Sequence, residues 1–203
     1  MVVPSIFTVT PPSAISSYDW FDFAAGAGYK KFYCAGCDIN GSSLYFLTTR
    51  TMDGDINQRS NGIVNSNVEL NFDITFQNPT MVAAGEAIIN TTITPANATT
   101  TYIIFTLKKV DLAAAETDIG TVTTSSLVAT GASNYRRLTK LTTTQTSFGV
   151  GEKLRLEVKF YSAGAGTSTI FFDPASRQTF TETGTGATIG SNLTVDVPFR
   201  IDL

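Results

Sequence analysis

Two cysteines, in Cys34-Ala-Gly-Cys37, are the first residues of the chain whose type and spacing belong to chemistry. A redox pair needs a depressed thiol pKa, ordinarily supplied by a helix N-terminus, whereas Gly36, Asp38, Asn40 and Gly41 predict a turn between strands. Tetrahedral zinc needs four ligands. The chain has no histidine and no second cysteine pair, so only two subunits meeting at a symmetry axis would complete such a site. The pair therefore reads as partly buried free thiols. Asp53, Asp55 and Asn57 begin a calcium-loop spacing, but Gln58 stands where that loop needs glycine and Val64 where it needs a bidentate glutamate. A solvated loop of turn-forming residues is the simpler reading. Asp19 with Asp22, or Glu152 with Glu157, would be the carboxylate pairs of a glycosidase, yet neither spacing sets a separation across a substrate. The glycine-rich residues 184–190 lack the following helix that a phosphate loop requires. Without histidine, the commonest general base and metal ligand are both missing. The expectation is a protein that is not an enzyme and uses no cofactor and no metal.

Aromatic side chains are the remaining candidates. Ser17-Tyr-Asp-Trp-Phe-Asp-Phe23 holds the only tryptophan. Tyr18, Trp20, Tyr29 and Tyr33 are the candidate ligand-facing or partner-facing residues, because rings presented together can stack on a sugar or pack on a partner. A lone tryptophan in a β-sandwich is more often core, where its large area is most useful.

The elements that must position these residues are strands. Over residues 153–161, Leu154, Leu156, Val158 and Phe160 alternate with Lys153, Arg155, Glu157, Lys159 and Tyr161, the signature of a strand with one dry face. After the small residues 162–167, Ile170 and Phe172 resume the alternation until Asp173-Pro174, which predicts a hairpin with the preceding strand. Residues 68–76 and 193–203 alternate in the same way, and Pro198 places the latter at an edge or a bulge. Residues 87–94, 101–110, 119–124 and 135–141 are further strands, and residues 18–47 read as three short ones. Residues 101–110 carry apolar side chains on both faces, which suggests cover on both sides. Residues 48–66 read as a polar loop. The only helical candidate, residues 111–118, is too short to stand alone.

Composition agrees. Among 203 residues threonine is the commonest, which favours strands. The net charge of −3 leaves no basic stripe for phosphates, so nucleic acid is not an expected partner. No run approaches the ~20 apolar residues of a membrane span, and no signal-peptide pattern opens the chain, so a soluble protein without a membrane partner is expected. The fold expected is all-β, a single-domain, jelly-roll-like β-sandwich over residues 13–203 with little or no helix, preceded by residues 1–12 as an N-terminal arm or edge strand.

Several segments together carry a resemblance. The turn Asp22-Phe-Ala-Ala-Gly-Ala-Gly-Tyr29 with Lys-Lys-Phe-Tyr33, the break Phe76-Gln-Asn-Pro79 with Gly85-Glu-Ala-Ile-Ile-Asn90, and Gly151-Glu-Lys-Leu-Arg-Leu-Glu157 with Phe172-Asp-Pro174 resemble jelly-roll structural proteins of tailed bacteriophages and related environmental viruses. Some relatives carry histidine before the Asp-Pro pair where this chain has Phe172, so no ligand role passes to that position. The resemblance implies a component of the virion made in the host cytoplasm: a capsid decoration protein first, a head fibre or tail-associated protein otherwise. It implies a homo-oligomer, taken as a trimer, with the major capsid protein among its partners and with residues 1–12 or the last strand making contacts. A carbohydrate- or receptor-binding module of a tail or fibre, meeting a surface glycan, is the alternative.

Overall fold

The computed structural model describes residues 16–17, 27–61, 66–96, 100–128, 133–163 and 166–200. Among these residues there is no helix. The strands are β1 (Ser16–Ser17), β2 (Ala27–Ile39), β3 (Ser42–Thr48), β4 (Gln58–Asn61), β5 (Ser66–Thr75), β6 (Thr80–Val82), β7 (Gly85–Thr94) and β8 (Thr100–Val110). They continue with β9 (Glu116–Thr123), β10 (Leu127–Val128), β11 (Tyr135–Thr143), β12 (Thr146–Phe148), β13 (Lys153–Ala163), β14 (Ser168–Phe171), β15 (Thr179–Thr181), β16 (Thr188–Gly190) and β17 (Thr194–Arg200).

The pairing makes two antiparallel layers. One, the back sheet, runs β2-β17-β7-β11, and the other, the front sheet, runs β5-β13-β8-β9. Chain order and spatial order together are those of the jelly roll: each successive long strand changes layer, except that β8 is followed by its front-sheet neighbour β9. Beyond these eight, β14 pairs with the end of β7 on the edge that β17 also uses and carries β4 on its own far side, and β10 borders β8. The layers join through β2. Its first half pairs with β17 and its second with β3, and Tyr33 is paired on both edges, with Thr194 and with Thr48. A single parallel bridge, Phe46 to Asp73, then ties β3 to β5. At the opposite side the Thr144 N–H donates to the Ile119 carbonyl at 3.0 Å, which brings β11 against β9.

Alternation explains the core. Leu154, Leu156, Val158 and Phe160 of β13 are wholly buried, as are Ile103, Phe105 and Leu107 of β8, and they meet Ile89, Val195, Val197, Phe32 and Cys34 from the back sheet. Each such side chain contributes about 1.5–3 kcal/mol by leaving water. Tyr45, Phe72 and Phe172 form a triangle of edge-to-face rings with centroids 5.4–5.7 Å apart.

Several expectations are corrected. β13 and β14 are not a hairpin: β5 and β8 take both edges of β13, and β14 pairs with β7 and β4 in the back sheet. The crossing is fastened by buried hydroxyls, with Ser168 Oγ accepting the Ala96 N–H at 2.9 Å and lying 3.1 Å from Ser162 Oγ and 3.2 Å from Thr101 Oγ1. Periodicity reports which face is dry, not which strand lies alongside, and this crossover was invisible to it. In place of several short strands, residues 27–39 are one strand of 13 residues, and the turn falls at Asn40-Gly41, with φ of 53° and 80° and the Gly41 N–H donating to Asp38 Oδ1 at 2.8 Å. Gly36 is not a turn glycine, since a Cβ there would lie 3.0 Å from both the Ile56 carbonyl oxygen and the Phe172 ring. Residues 111–115 are no helical turn: Asp111 Oδ1 accepts the N–H groups of Ala113 and Ala115 at 2.8 Å, and Ala114 has φ 64°. The polar loop contains β4 and a bridge between Gly36 and Ile56. β17 is not an edge strand. The β7 ladder stops at Asp196, two residues before Pro198, whose carbonyl accepts the Ala83 N–H at 2.9 Å. Residues 1–12 and 201–203 lie outside the described residues.

A Cβ on Gly120 would sit 2.1 Å from the Thr142 carbonyl oxygen, where β9 and β11 touch. Gly120→Ala is expected to destabilise the fold by about 1–3 kcal/mol through overpacking against backbone, measured by urea denaturation. Gly184→Ala, in an open loop at φ 92°, separates backbone strain from that collision.

Candidate functional site

The outer face of the front sheet is where charged and aromatic side chains converge. Register places Arg155 between Asp73 and Lys108, Lys159 between Glu69 and Ile104, and Tyr161 between Asn67 and Tyr102. The charged row expected on β13 is present, and it is interlocked with its neighbours. Arg155 holds Asp73 through two parallel bonds of 2.6 and 2.8 Å and also bonds Glu116. Lys108 bridges Glu157 at 2.8 Å and Glu116 at 2.9 Å, Lys159 reaches Glu157 at 3.1 Å and Glu69 at 3.7 Å, and Lys153 lies 3.8 Å from Asp73. Lys108, Lys153, Arg155 and Lys159 thus face Glu69, Asp73, Glu116 and Glu157 one for one.

The electrostatics follow from these bonds. Burial alone would raise the Glu157 carboxyl, but hydrogen bonds from Lys108 and Lys159, with their charges, outweigh it and hold the group below the usual carboxylate range. Burial would likewise lower Lys108, and its bonds to Glu157 and Glu116 instead push it up. The bond from Lys108 lowers Glu116, and the bonds to Asp73 raise Arg155. Each of these four shifts favours the charged form of its group. At its end Tyr102 and Tyr161 stack with ring centroids 4.5 Å apart and planes 25° apart. No sequence signal singled out this pair, because only the register between β8 and β13 sets the two rings side by side.

The aromatics singled out by sequence are not brought together in this way. Tyr18 and Trp20 lie outside the described residues. Tyr29 and Tyr33 share the outer face of β2, half-buried, about 13 Å apart at the strand rise, with Lys31 between them. Lys31 lies 3.8 Å from Asp196, whose carboxyl is raised by burial, and Lys140 pairs with Glu86 at 2.7 Å. Leu138 stands exposed on the same face.

Cys34 and Cys37 sit an odd number of residues apart on one strand and so point to opposite faces. Cys34 is wholly buried, which pushes its thiol pKa up, while Cys37 is partly exposed. Glu152 and Glu157 are held separately: Glu152 takes the Gly149 N–H at 2.6 Å and Lys109 at 2.7 Å. Asp53 and Asp55 are exposed, and Arg177 lies 3.7 Å from Asp53. That arginine instead organises the neighbouring turn, donating to buried Asp173 at 3.1 Å and to the Gly54 carbonyl at 2.8 Å. Among the described residues no group of three or more metal-capable side chains gathers.

No protein-family model matches the chain, and no curated protein sequence does. Solved structures do share its fold. A CocE/NonD family hydrolase from Staphylococcus aureus superposes with a TM-score of 0.54 at 11% identity, over 84% of this chain and 37% of that one. An α-amino acid ester hydrolase gives 0.56 at 10%, over 85% and 36%, and an aminopeptidase from a marine sediment Thaumarchaeota archaeon gives 0.54 at 9%, over 87% and 37%. The chain therefore spans little more than a third of each of these proteins. At such identity the likeness is one of fold alone.

The buried ion pairs and the two thiols each have a measurable consequence. Because the Glu157 pKa is lower folded than unfolded, its contribution is present above its unfolded value of about 4.3 and is lost as pH falls through the folded value. Glu157→Gln is expected to cost about 1–3 kcal/mol at pH 7 and to flatten the acid limb of the stability curve, followed by thermal melts between about pH 3 and pH 7. A thiol reagent is expected to label Cys37 in the folded protein and Cys34 only on unfolding, counted by intact mass.

Proposed function

We propose that the chain is a structural component of a virus particle, in first place a capsid decoration protein of a tailed phage, working through protein–protein contacts. The observation that carries this reading is the front face. A jelly-roll sheet whose outward charges are neutralised in place presents a stiff surface with no reactive group of its own, which suits a module repeated across a shell. The segments that resemble phage structural proteins add to it, two of them lying on the strands Gly85–Thr94 and Lys153–Ala163. The absence of histidine from the whole chain means that no Ser-His-Asp arrangement can be assembled from it alone, so the hydrolase and peptidase names of the fold's neighbours suggest no mechanism here. In this reading the protein forms a closed homo-oligomer, taken as a trimer, on the major capsid protein. Since β17 has neighbours on both edges, a contact made by the last strand would use its outer face rather than extend the sheet. Residues 1–12 would be the other contact.

Quantitative mass spectrometry of purified particles from the source sample tests the proposal. Copies in the hundreds per particle are expected for a decoration protein. A handful would move the protein to the tail, and its absence from particles that contain their capsid protein would overturn the reading.

A further inference from the structure

The stacked tyrosines lie outside everything that the structural role requires. We infer that Tyr102 and Tyr161, with Asn67, Glu69 and Lys159 beside them, form a shallow binding site for a neutral pyranose sugar on the outer face of the front sheet.

The position of the rings is the starting point. Inside the sandwich an aromatic pair fills space, but residues 102 and 161 belong to the outward registers of β8 and β13, opposite in phase to Ile103 and Phe160, which are wholly buried. Both rings are partly exposed at the end of the sheet, where β5 and β8 begin at Ser66 and Thr100 and β13 ends at Ala163. Each ring turns one face to the other, and the C–H face of a pyranose packs on the exposed part of the pair, beside Asn67, through dispersion and the ring quadrupole. The two tyrosines also restrain each other, so little side-chain freedom is lost on binding.

Specificity for a sugar comes from the groups that flank the rings. Asn67, directly across from Tyr161 on β5, is exposed and supplies both an amide donor and an acceptor. One step along the strands, Lys159 and Glu69 lie 3.7 Å apart with side chains 36% and 47% exposed, a donor and an acceptor set at the spacing of neighbouring hydroxyls. Their charges are already paired, with each other and with Glu157, so a charged ligand would have to break the lattice while a neutral polyol bonds to it as it stands. Tyr29 and Tyr33 make no such platform, being separated along β2 by Lys31. The site is shallow, so single-copy affinity is weak, on the order of millimolar, and becomes useful when many copies engage one surface.

The full chain titrated with cellohexaose, maltohexaose, mannohexaose and chitohexaose, followed by heteronuclear NMR and calorimetry, tests the inference. At least one hexasaccharide is expected to bind and to shift resonances of Asn67, Tyr102, Lys159 and Tyr161. Tyr161→Leu, which keeps apolar bulk on the sheet, is expected to weaken that binding about tenfold, with Tyr161→Phe and Tyr33→Ala close to wild type. Should Tyr161→Leu fail to fold, Asn67→Ala on the exposed rim is expected to weaken binding by about threefold or more. The inference is overturned if none of the four sugars binds at up to about 50 mM, far above the affinity anticipated. It is equally overturned if binding survives Tyr161→Leu or depends on Tyr33. Counting copies in virus particles is blind to all of these results, so the two readings stand or fall separately.

Discussion

Strand β13 is the constraint on which the rest of the molecule depends. It is saturated in three directions at once: its inward side chains are wholly buried, both of its edges are paired along their length, and its outward charges are bonded to those of β5, β8 and β9. A strand with no free edge cannot form a hairpin with its successor in the chain, so the backbone must leave the front sheet after Ala163 and find its next partner in the back sheet. That crossing, fastened by the hydroxyls of Thr101, Ser162 and Ser168, is one of the alternations between layers that make the topology a jelly roll.

The same saturation shapes what the surface can do. On an open sheet face, cross-strand neighbours stand close enough for opposite charges to neutralise each other, and with Lys108 and Glu157 largely covered by their neighbours these pairs feel less solvent screening than ordinary surface ion pairs. Their bonds hold Glu116 and Glu157 toward the carboxylate and Lys108 and Arg155 toward the cation. They stiffen the face. Only where the row of charges ends, at Tyr102 and Tyr161, does the surface change character from ionic to aromatic, and recognition by shape and stacking becomes the available chemistry there.

β2 provides the second organising feature, and it shows how one long strand serves two layers. By pairing with β17 first and β3 afterwards, it passes from the back sheet into a hairpin that a single bridge at Phe46 links to the front sheet. Gly36 and Gly54 permit the backbone of residues 53–56 to lie directly on that strand, since a Cβ on Gly54 would sit 2.6 Å from the Gly36 carbonyl oxygen. Arg177 clamps the arrangement from the other side through Asp173 and Gly54. A stretch rich in Asp, Asn and Gly, which in isolation suggests either a calcium loop or a solvated one, is thereby held against β2 and Phe172 through Gly54, Ile56 and Asn57 while Asp53 and Asp55 stay exposed.

Strands with one dry face were legible in the residue order of this protein, because a period of two is a local property: Leu70 and Phe72, Leu154 to Phe160 at every second position, and Leu193, Val195 and Val197 are buried where the alternation puts them, although Glu157 and Thr194 on the opposite faces are buried as well. So were the all-β class and the lack of any histidine chemistry. Local pattern misplaced the features that depend on partners. The turn predicted from Gly36, Asp38, Asn40 and Gly41 falls at Asn40-Gly41, and the helical turn at 111–118 gave way to local bonds from Asp111, whereas the hairpin drawn between residues 153–161 and 170–172 and the placing of Gly36 in a turn failed for a non-local reason. Pairing, crossing and the packing that excludes a Cβ are properties of segments distant in sequence. The candidate site obeyed the same division. Tyr29 and Tyr33 could be read as aromatic, but only register decides which rings touch, and it chose Tyr102 and Tyr161, on the separate strands β8 and β13 and 4.5 Å apart in space.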